Sequence, residues 1–155
     1  MNPRVDSVTR QLRDAGVVGA VRVLDSKAHT AALAAEQLGI EIGAIANSLI
    51  FDADGVPLLV LTSGAHRVDT VKIAALLGIS TLRRADPEFV RTHTGQPIGG
   101  VAPVGHPEPI GTLVDIELAR YDQIWAAAGH PSTVFPTSYA ELLRITSGTA
   151  AEVGD

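Results

Sequence analysis

The sequence predicts a single compact α/β (α+β) domain: a mixed, largely antiparallel sheet with flanking helices. Three observations carry this expectation. Residues 44–64, "AIANSLIFDADGVPLLVLTSG", place two nearly continuous apolar runs on either side of Asp54 and Gly55. That pair favours the positive φ angles of a tight hairpin, and unbroken apolar runs predict strands covered on both faces. Helix and strand signals intermix along the chain instead of separating into blocks. Finally, 155 residues at 46% apolar content suffice for one domain with a proper core.

The elements follow in order. Residues 7–15 read as a short amphipathic helix ending at Gly16, and residues 17–24, "VVGAVRVL", as a strand by their β-branched content. Thr30 is placed to cap an alanine-rich helix that carries Leu33 and Leu38 and stops at Gly39. The hairpin comes next; its D-x-D-G turn begins like a calcium loop, but the later ligands and the terminal Glu are missing. Residues 68–78 form a helix closed by Gly78. Asp86, Pro87 and Glu88 open another, as cap, first helical residue and first-turn acid. Residues 109–118 and 123–129 read as strands, and Ser138 with Glu141 makes a capping-box pattern for a last helix over 139–146. The domain is therefore expected over 1–146, with 147–155 a frayed tail.

Composition removes several functions. There is no cysteine, so disulfides, thiolate catalysis and Cys-ligated zinc are excluded. No run approaches membrane-spanning length and the first residues lack the apolar core of a signal peptide, so a cytoplasmic protein is expected. The net charge of -5 argues against a general nucleic-acid coat. Residues 66–91 are nonetheless net +2 through Arg67, Lys72, Arg83, Arg84 and Arg91. Such a face suits brief contact with phosphates, and ordinary solvated charge explains it equally well. The nucleophile elbow, the phosphate-binding P-loop and the H-E-x-x-H motif are all absent. His29, His66, His93, His106 and His130 are dispersed without ligand spacing, so neither a metal nor another cofactor is expected.

Chemistry concentrates in a few places. Residues 94–109, "TGQPIGGVAPVGHPEP", hold four glycines and four prolines. A flexible linker would carry Ser, Gln, Lys or Glu between them, whereas Ile98, Val101, Val104 and Ile110 stand near or among them here. Prolines stiffen such a loop while glycines admit unusual φ/ψ and close backbone approach. Its peptide N–H groups at Gly99 and Gly100 could bind a carbonyl or an oxyanion; a purely structural crossing loop is the alternative. Asn47 and Ser48 interrupt the apolar first strand of the hairpin. A buried amide costs a few kcal/mol unless partnered, so the pair either bridges structure or faces a pocket. Thr62 and Ser63 end the second strand at the same sheet edge, and His130 follows Gly129 at the end of a strand-like run.

Three stretches, "IANSLIFDADGVPLLVLTSGAHRVDTVKIAALLG", "RADPEFVRTHTGQPIGGVAPVGH" and "AAGHPSTVFPTSYAELLRIT", resemble the YbaK/prolyl-tRNA-synthetase-associated domain family. The resemblance runs from Thr30 to Thr146, and its most specific piece is T-G-x-x-x-G-G-V-x-P-x-G over residues 94–105. It implies a YbaK-like domain that hydrolyses the ester of mischarged aminoacyl-tRNA, chiefly tRNA-Pro, as a free-standing deacylase. The implied partners are aminoacyl-tRNA and, transiently, prolyl-tRNA synthetase, with no membrane and no cofactor.

The resemblance places Gly99 and Gly100 at the aminoacyl pocket, with Val101 beside them. Gly99, Gly100 and Asn47 are accordingly expected as catalytic residues, and Ser48, Thr62, Ser63, Val101, Pro103 and His130 as substrate-binding ones. Many family members carry a lysine where this chain has Asn47, and its only lysines, Lys27 and Lys72, lie elsewhere. An amide can hydrogen-bond a ribose or carbonyl but supplies no charge. The implied mechanism polarises the ester carbonyl with loop amides, adds water, and uses the tRNA's own 2′-hydroxyl or a bound water for proton transfer. Selection would be by size, admitting a small residue such as alanine and excluding proline. A non-catalytic tRNA or nucleotide binder and a small-molecule esterase are the rival classes.

Overall fold

The hairpin forms the centre of the sheet. In the computed structural model, which describes residues 3–28 and 30–154, β2 (Ile45–Ala53) and β3 (Val56–Ser63) pair antiparallel from Ala46↔Ser63 to Ala53↔Val56. Asp54 and Gly55 turn with φ of 52° and 92°. The remaining strands are β1 (Arg22–Val23), β4 (Leu82–Arg84), β5 (Gly111–Asp115), β6 (Ile124–Ala127), β7 (Thr133–Thr137) and β8 (Thr149–Ala151). Their spatial order is β1-β7-β6-β2-β3-β5-β8, with β4 also on β2. Four pairings are antiparallel and three, β2·β6, β3·β5 and β5·β8, are parallel, so the sheet is mixed as expected.

Five helices cover this sheet: α1 (Pro3–Asp14), α2 (Ala31–Leu38), α3 (Thr70–Leu77), α4 (Pro87–Thr94) and α5 (Tyr139–Thr146). Their starts follow local capping chemistry. Thr30, Asp69, Asp86 and Ser138 accept from the amides of Leu33, Lys72, Phe89 and Glu141 respectively. The main core joins Val8 and Leu12 of α1, Val90 of α4 and Leu142 of α5 to Leu59, Leu61 and Phe135. A second cluster packs Ile73 and Ala74 of α3 on Phe51, Leu58 and Val60. A third packs Ala34 and Ala35 of α2 on Ile45 and Val134. The central hairpin is thus covered on both faces.

Several boundaries differ from expectation. Helix α1 begins four residues earlier than the periodicity suggests, burying Val5 as well as Val8 and Leu12. Of residues 17–24 only Arg22 and Val23 find a partner strand, and Val18 stands 97% exposed. The expected strand over 109–118 ends at Asp115, whose side chain caps a 3-10 turn over Ile116–Arg120. The tail is not frayed through residue 154. Thr149–Ala151 pairs in parallel with β5, Val153 is fully buried, and Gly154 bridges to Val68. Burial of Ala151 and Val153 against the α3 face outweighs the entropy of ordering this terminus. Met1, Asn2, His29 and Asp155 lie outside the described residues.

One topological detail positions the site. The edge of β2 opposite β3 is shared between two short strands. β6 pairs with Ile45 and Ala46, and β4 with residues 51–53, so residues 47–50 have no strand partner on that side.

Candidate ligand site at the split sheet edge

The gap exposes backbone as well as side chains. Gly64 N donates to Ile45 O at 2.9 Å across the hairpin. Alternation then directs the N–H and C=O of Ala46, Ser48 and Ile50 to the opposite edge. Ala46 meets β6 there, and Ile50 O accepts from Ala85 N at 3.2 Å. The peptide groups of Ser48 are left facing the gap. Beside them, the Ser48 hydroxyl is buried without a hydrogen-bond partner.

The glycine loop lies against this gap and is built as an ordered unit. Thr94 Oγ1 donates to Val90 O at 2.7 Å and accepts from Gln96 N at 3.0 Å. The buried Gln96 amide donates Nε2 to Val104 O at 3.0 Å and accepts from Ala102 N at 2.7 Å, pinning both sides of the loop. His106 Nε2 donates to Ala102 O at 2.8 Å. Burial holds this imidazole below its ordinary value, partly offset by the Ala102 carbonyl, which favours the protonated form.

The two central glycines do different things. Gly100 is buried, and its N–H donates to Pro97 O at 3.0 Å. A Cβ there would lie 2.5 Å from the His130 carbonyl carbon and the Pro131 nitrogen, so Gly100 is required by packing against backbone, not by a ligand. Gly99 has φ +87° and open space where a Cβ would stand. Neither the Gly99 amide nor the Val101 amide has an acceptor among the described residues.

Two cavities meet at these residues. The larger, about 270 Å³, is lined by Ala28, Thr30, Ala31 and Ala34 around α2, by Trp125, Ala126 and Ala127 of β6, and by Ser132, Thr133 and Val134. Ser132 holds φ +71°, an uncommon conformation for a non-glycine residue, with its hydroxyl 3.3 Å from Ala28 O. The smaller cavity, about 200 Å³, is lined by Leu49, Ile50, Arg84, Val90 and Ile98. Asn47, Ser48, Gly99 and Val101 line both, forming a neck between them. The Asn47 side-chain amide makes no hydrogen bond among the described residues. The neck thus offers donors and acceptors that the protein itself does not use.

Asn47, Ser48, Gly99 and Val101 are therefore brought together, and the other sequence-derived positions are not. Gly100 lies behind the loop with its amide engaged. Thr62 and Ser63 sit on the paired edge of β2, away from the gap. Their partners are Asp115 and Gly43: Ser63 N donates to Asp115 Oδ2 at 2.9 Å, and Ser63 Oγ to Gly43 O at 2.8 Å. Asp115, fully buried, also lies 2.9 Å from His66 Nδ1. Pro103 is buried and lines neither cavity. His130 is exposed, its Nδ1 2.7 Å from Pro131 O, and contributes to the site only through the backbone that Gly100 abuts. The residues that sequence reasoning missed are Ala31, Ala34, Arg84, Trp125 and Ser132. Of these, Arg84 stood in the basic stretch over 66–91 and Trp125 is the sole tryptophan of the chain; the others carried no compositional signal. Among the described residues no group of three or more His, Asp or Glu could hold a metal ion.

The fold and the neck define a class: a small α/β domain with a cleft at a split sheet edge under an ordered glycine loop. The chain belongs to the aminoacyl-tRNA editing domain family, whose profile matches residues 25–145. It is 33% identical to the proline–tRNA ligase of Geobacter sulfurreducens over 119 residues, 72% of this chain and 21% of that protein. It is 28% identical to the uncharacterized protein YwhH of Bacillus subtilis, over 79% of this chain and 78% of that one. A crystal structure described as a candidate trans-editing enzyme for prolyl-tRNA synthetase superposes with TM-score 0.94 at 37% identity, covering 100% of this chain and 99% of the other. The chain thus spans about a fifth of the Geobacter ligase it matches but nearly all of the structural relative. Among the described residues no helix is long and apolar enough to cross a membrane.

Proposed function

We propose that this protein is a trans-acting deacylase that hydrolyses the ester of mischarged tRNA-Pro carrying a small amino acid such as alanine. The observation that carries the proposal is the neck: an unengaged Asn47 amide, an orphaned Ser48 hydroxyl and two unengaged peptide N–H groups at Gly99 and Val101, where two cavities join. The larger cavity receives the aminoacyl group. Its walls are largely alanine, from Ala28, Ala31, Ala34, Ala126 and Ala127.

The ester carbonyl lies at the neck, and the Gly99 and Val101 amides stabilise the negative charge that develops on its oxygen. This replaces the Gly100 amide, which Pro97 already occupies. Water adds to the carbonyl carbon, giving up its proton through the tRNA's 2′-hydroxyl or a second water. The tetrahedral intermediate collapses, the bond to the ribose 3′-oxygen breaks, and that oxygen takes the proton. The free amino acid leaves as its carboxylate, its acid proton passing to solvent. Positioning and oxyanion stabilisation supply most of the rate in this scheme, with Asn47 orienting the ester or the sugar.

The test is a deacylation panel with Ala-, Cys-, Ser- and Pro-charged tRNA-Pro. Release of a small amino acid with Pro-tRNA-Pro left intact supports editing. Rates equal to buffer for every charged tRNA, combined with measurable tRNA binding, favour the second reading, a non-catalytic tRNA-end binder. Asn47 in place of the family's lysine is the feature that recommends that alternative.

A further inference from the structure

We propose that Gln96 is a positioning residue that sets the direction of the Gly99 and Val101 N–H groups; its part in catalysis rests on the editing reading. Gln96 is only 2% exposed, and a buried amide is tolerated when both of its polar ends are used. Both ends grip the far limb of the glycine loop. Oε1 accepts from Ala102 N at 2.7 Å, and Nε2 donates to Val104 O at 3.0 Å. The residue is itself anchored from behind. Its own N–H donates to the buried Thr94 Oγ1 at 3.0 Å, and that hydroxyl donates to Val90 O of α4 at 2.7 Å. Two buried side chains thus tie the end of α4 to the loop.

Along the loop, held and free peptide groups alternate. The Gly100 N–H donates to Pro97 O at 3.0 Å, and the Ala102 N–H donates to Gln96. The Gly99 and Val101 N–H groups, one residue before each of these, have no acceptor among the described residues. Because peptide units are planar, the unit carrying the Val101 N–H is set by the held units on either side of it. The anchor at Pro97 lies beside Gly99, at φ +87°, and Gly100, the residues with most backbone freedom. The anchor at Ala102 therefore carries the direction. Val101 and Ala102 are buried, but apolar packing is non-directional, whereas a hydrogen bond to Ala102 N fixes how that peptide is rotated. Donors stabilise an oxyanion only when they already point to where its charge develops. A leucine at position 96 would fill much of the same space and lose that direction.

The experiment compares full-chain wild type, Gln96→Leu, Gln96→Glu and Val153→Ala. Backbone-amide NMR relaxation and steady-state deacylation of Ala-tRNA-Pro are measured well below the Tm of each. Val153 is buried in the α3 cluster and lines neither cavity, so its variant controls for lost stability alone. In Gln96→Leu the Gly99 and Val101 amides should lose order while residues 47–50 of β2 keep theirs. Its kcat should fall by about tenfold to 10²-fold with KM nearly unchanged, the signature of misplaced transition-state donors. Val153→Ala should lower Tm and keep wild-type kcat and amide order. Gln96→Glu is the conservative rescue. Its carboxyl accepts from Ala102 N when ionised and, when protonated, also donates to Val104 O. Its kcat should exceed that of Gln96→Leu, by more as pH falls. Undiminished order at Gly99 and Val101 in Gln96→Leu overturns the proposal whatever the activity. So does a wild-type kcat in that variant, an equal fall in Val153→Ala, or a Gln96→Glu variant as slow as Gln96→Leu at every pH. A wild type that hydrolyses no charged tRNA removes the editing reading instead, and the relaxation data alone then decide whether Gln96 directs the loop amides.

Discussion

Gln96 is the residue whose role is most firmly set by its surroundings, because both ends of its buried amide are used within one loop. Gln96→Leu leaves Ala102 N–H and Val104 C=O without partners. It should lower stability by about 1–3 kcal/mol in urea unfolding. Gly100→Ala forces a methyl group against the His130 and Pro131 backbone, and overpacking of this kind costs about 1–3 kcal/mol. Its effect on turnover would come through a displaced loop, so it is a poor probe of the oxyanion site. Asn47→Ala removes a side chain with no intramolecular partner, and should change stability by less than about 0.5 kcal/mol. His106 gives a pH dependence of definite sign. Its folded value lies below the ordinary 6.5, so the unfolded chain takes up the proton first. The stability it contributes is complete above 6.5 and is lost as pH falls through the lowered folded value. Between pH 7.5 and 5.5 the Tm of wild type should therefore fall further than that of His106→Gln, by differential scanning calorimetry.

At the scale of elements, α2 shapes the larger cavity through Ala31 and Ala34. Ala34→Leu fills part of that volume, so deacylation of larger aminoacyl groups should decline before that of Ala-tRNA-Pro. A uniform decline across the panel would place the acyl group elsewhere. Strand β8 is the element the sequence hid. Deleting residues 149–155 removes its pairing with β5 and the buried Val153, and should cost more than about 2 kcal/mol in denaturant midpoint measurements. What was legible at this scale was local. The hairpin announced itself through Asp54 and Gly55, and the starts of α2, α4 and α5 through Thr30, Asp86 and Ser138; α3 begins at Thr70 behind its Asp69 cap, two residues after the expected start. Strands β4, β7 and β8 have three to five residues each, and β7 even contains Pro136. They are strands only because distant partners reach them, and no local pattern encodes that.

At the scale of the molecule, the same limit governs the site. Asn47, Ser48, Gly99 and Val101 stood out because polar residues in an apolar strand and apolar residues in a glycine loop are each locally anomalous. Thr62 and Ser63 were grouped with them by register, since Asn47 does pair with Thr62. The gap lies on the other edge of β2, however, and that edge is open only because β6 stops at its start and β4 begins beyond residue 50. Arg84 and Ala34 enter the site through that arrangement, not through any spacing. The basic stretch over 66–91 is likewise divided by the fold: Arg84 lines the cleft while Lys72 reaches Gly154 O on the α3 side at 3.5 Å. Among the described residues Arg84 is the one cation lining the cleft, and a net charge of -5 argues against binding of an extended duplex. The most direct test of the account is the deacylation rate of Ala-tRNA-Pro, measured side by side for wild type and Asn47→Ala. The expected result is wild-type hydrolysis well above buffer and a variant slower by about 10²-fold, the lower range seen on removing one positioned donor, at unchanged Tm. Wild-type hydrolysis no faster than buffer, or a variant as fast as wild type, would contradict it.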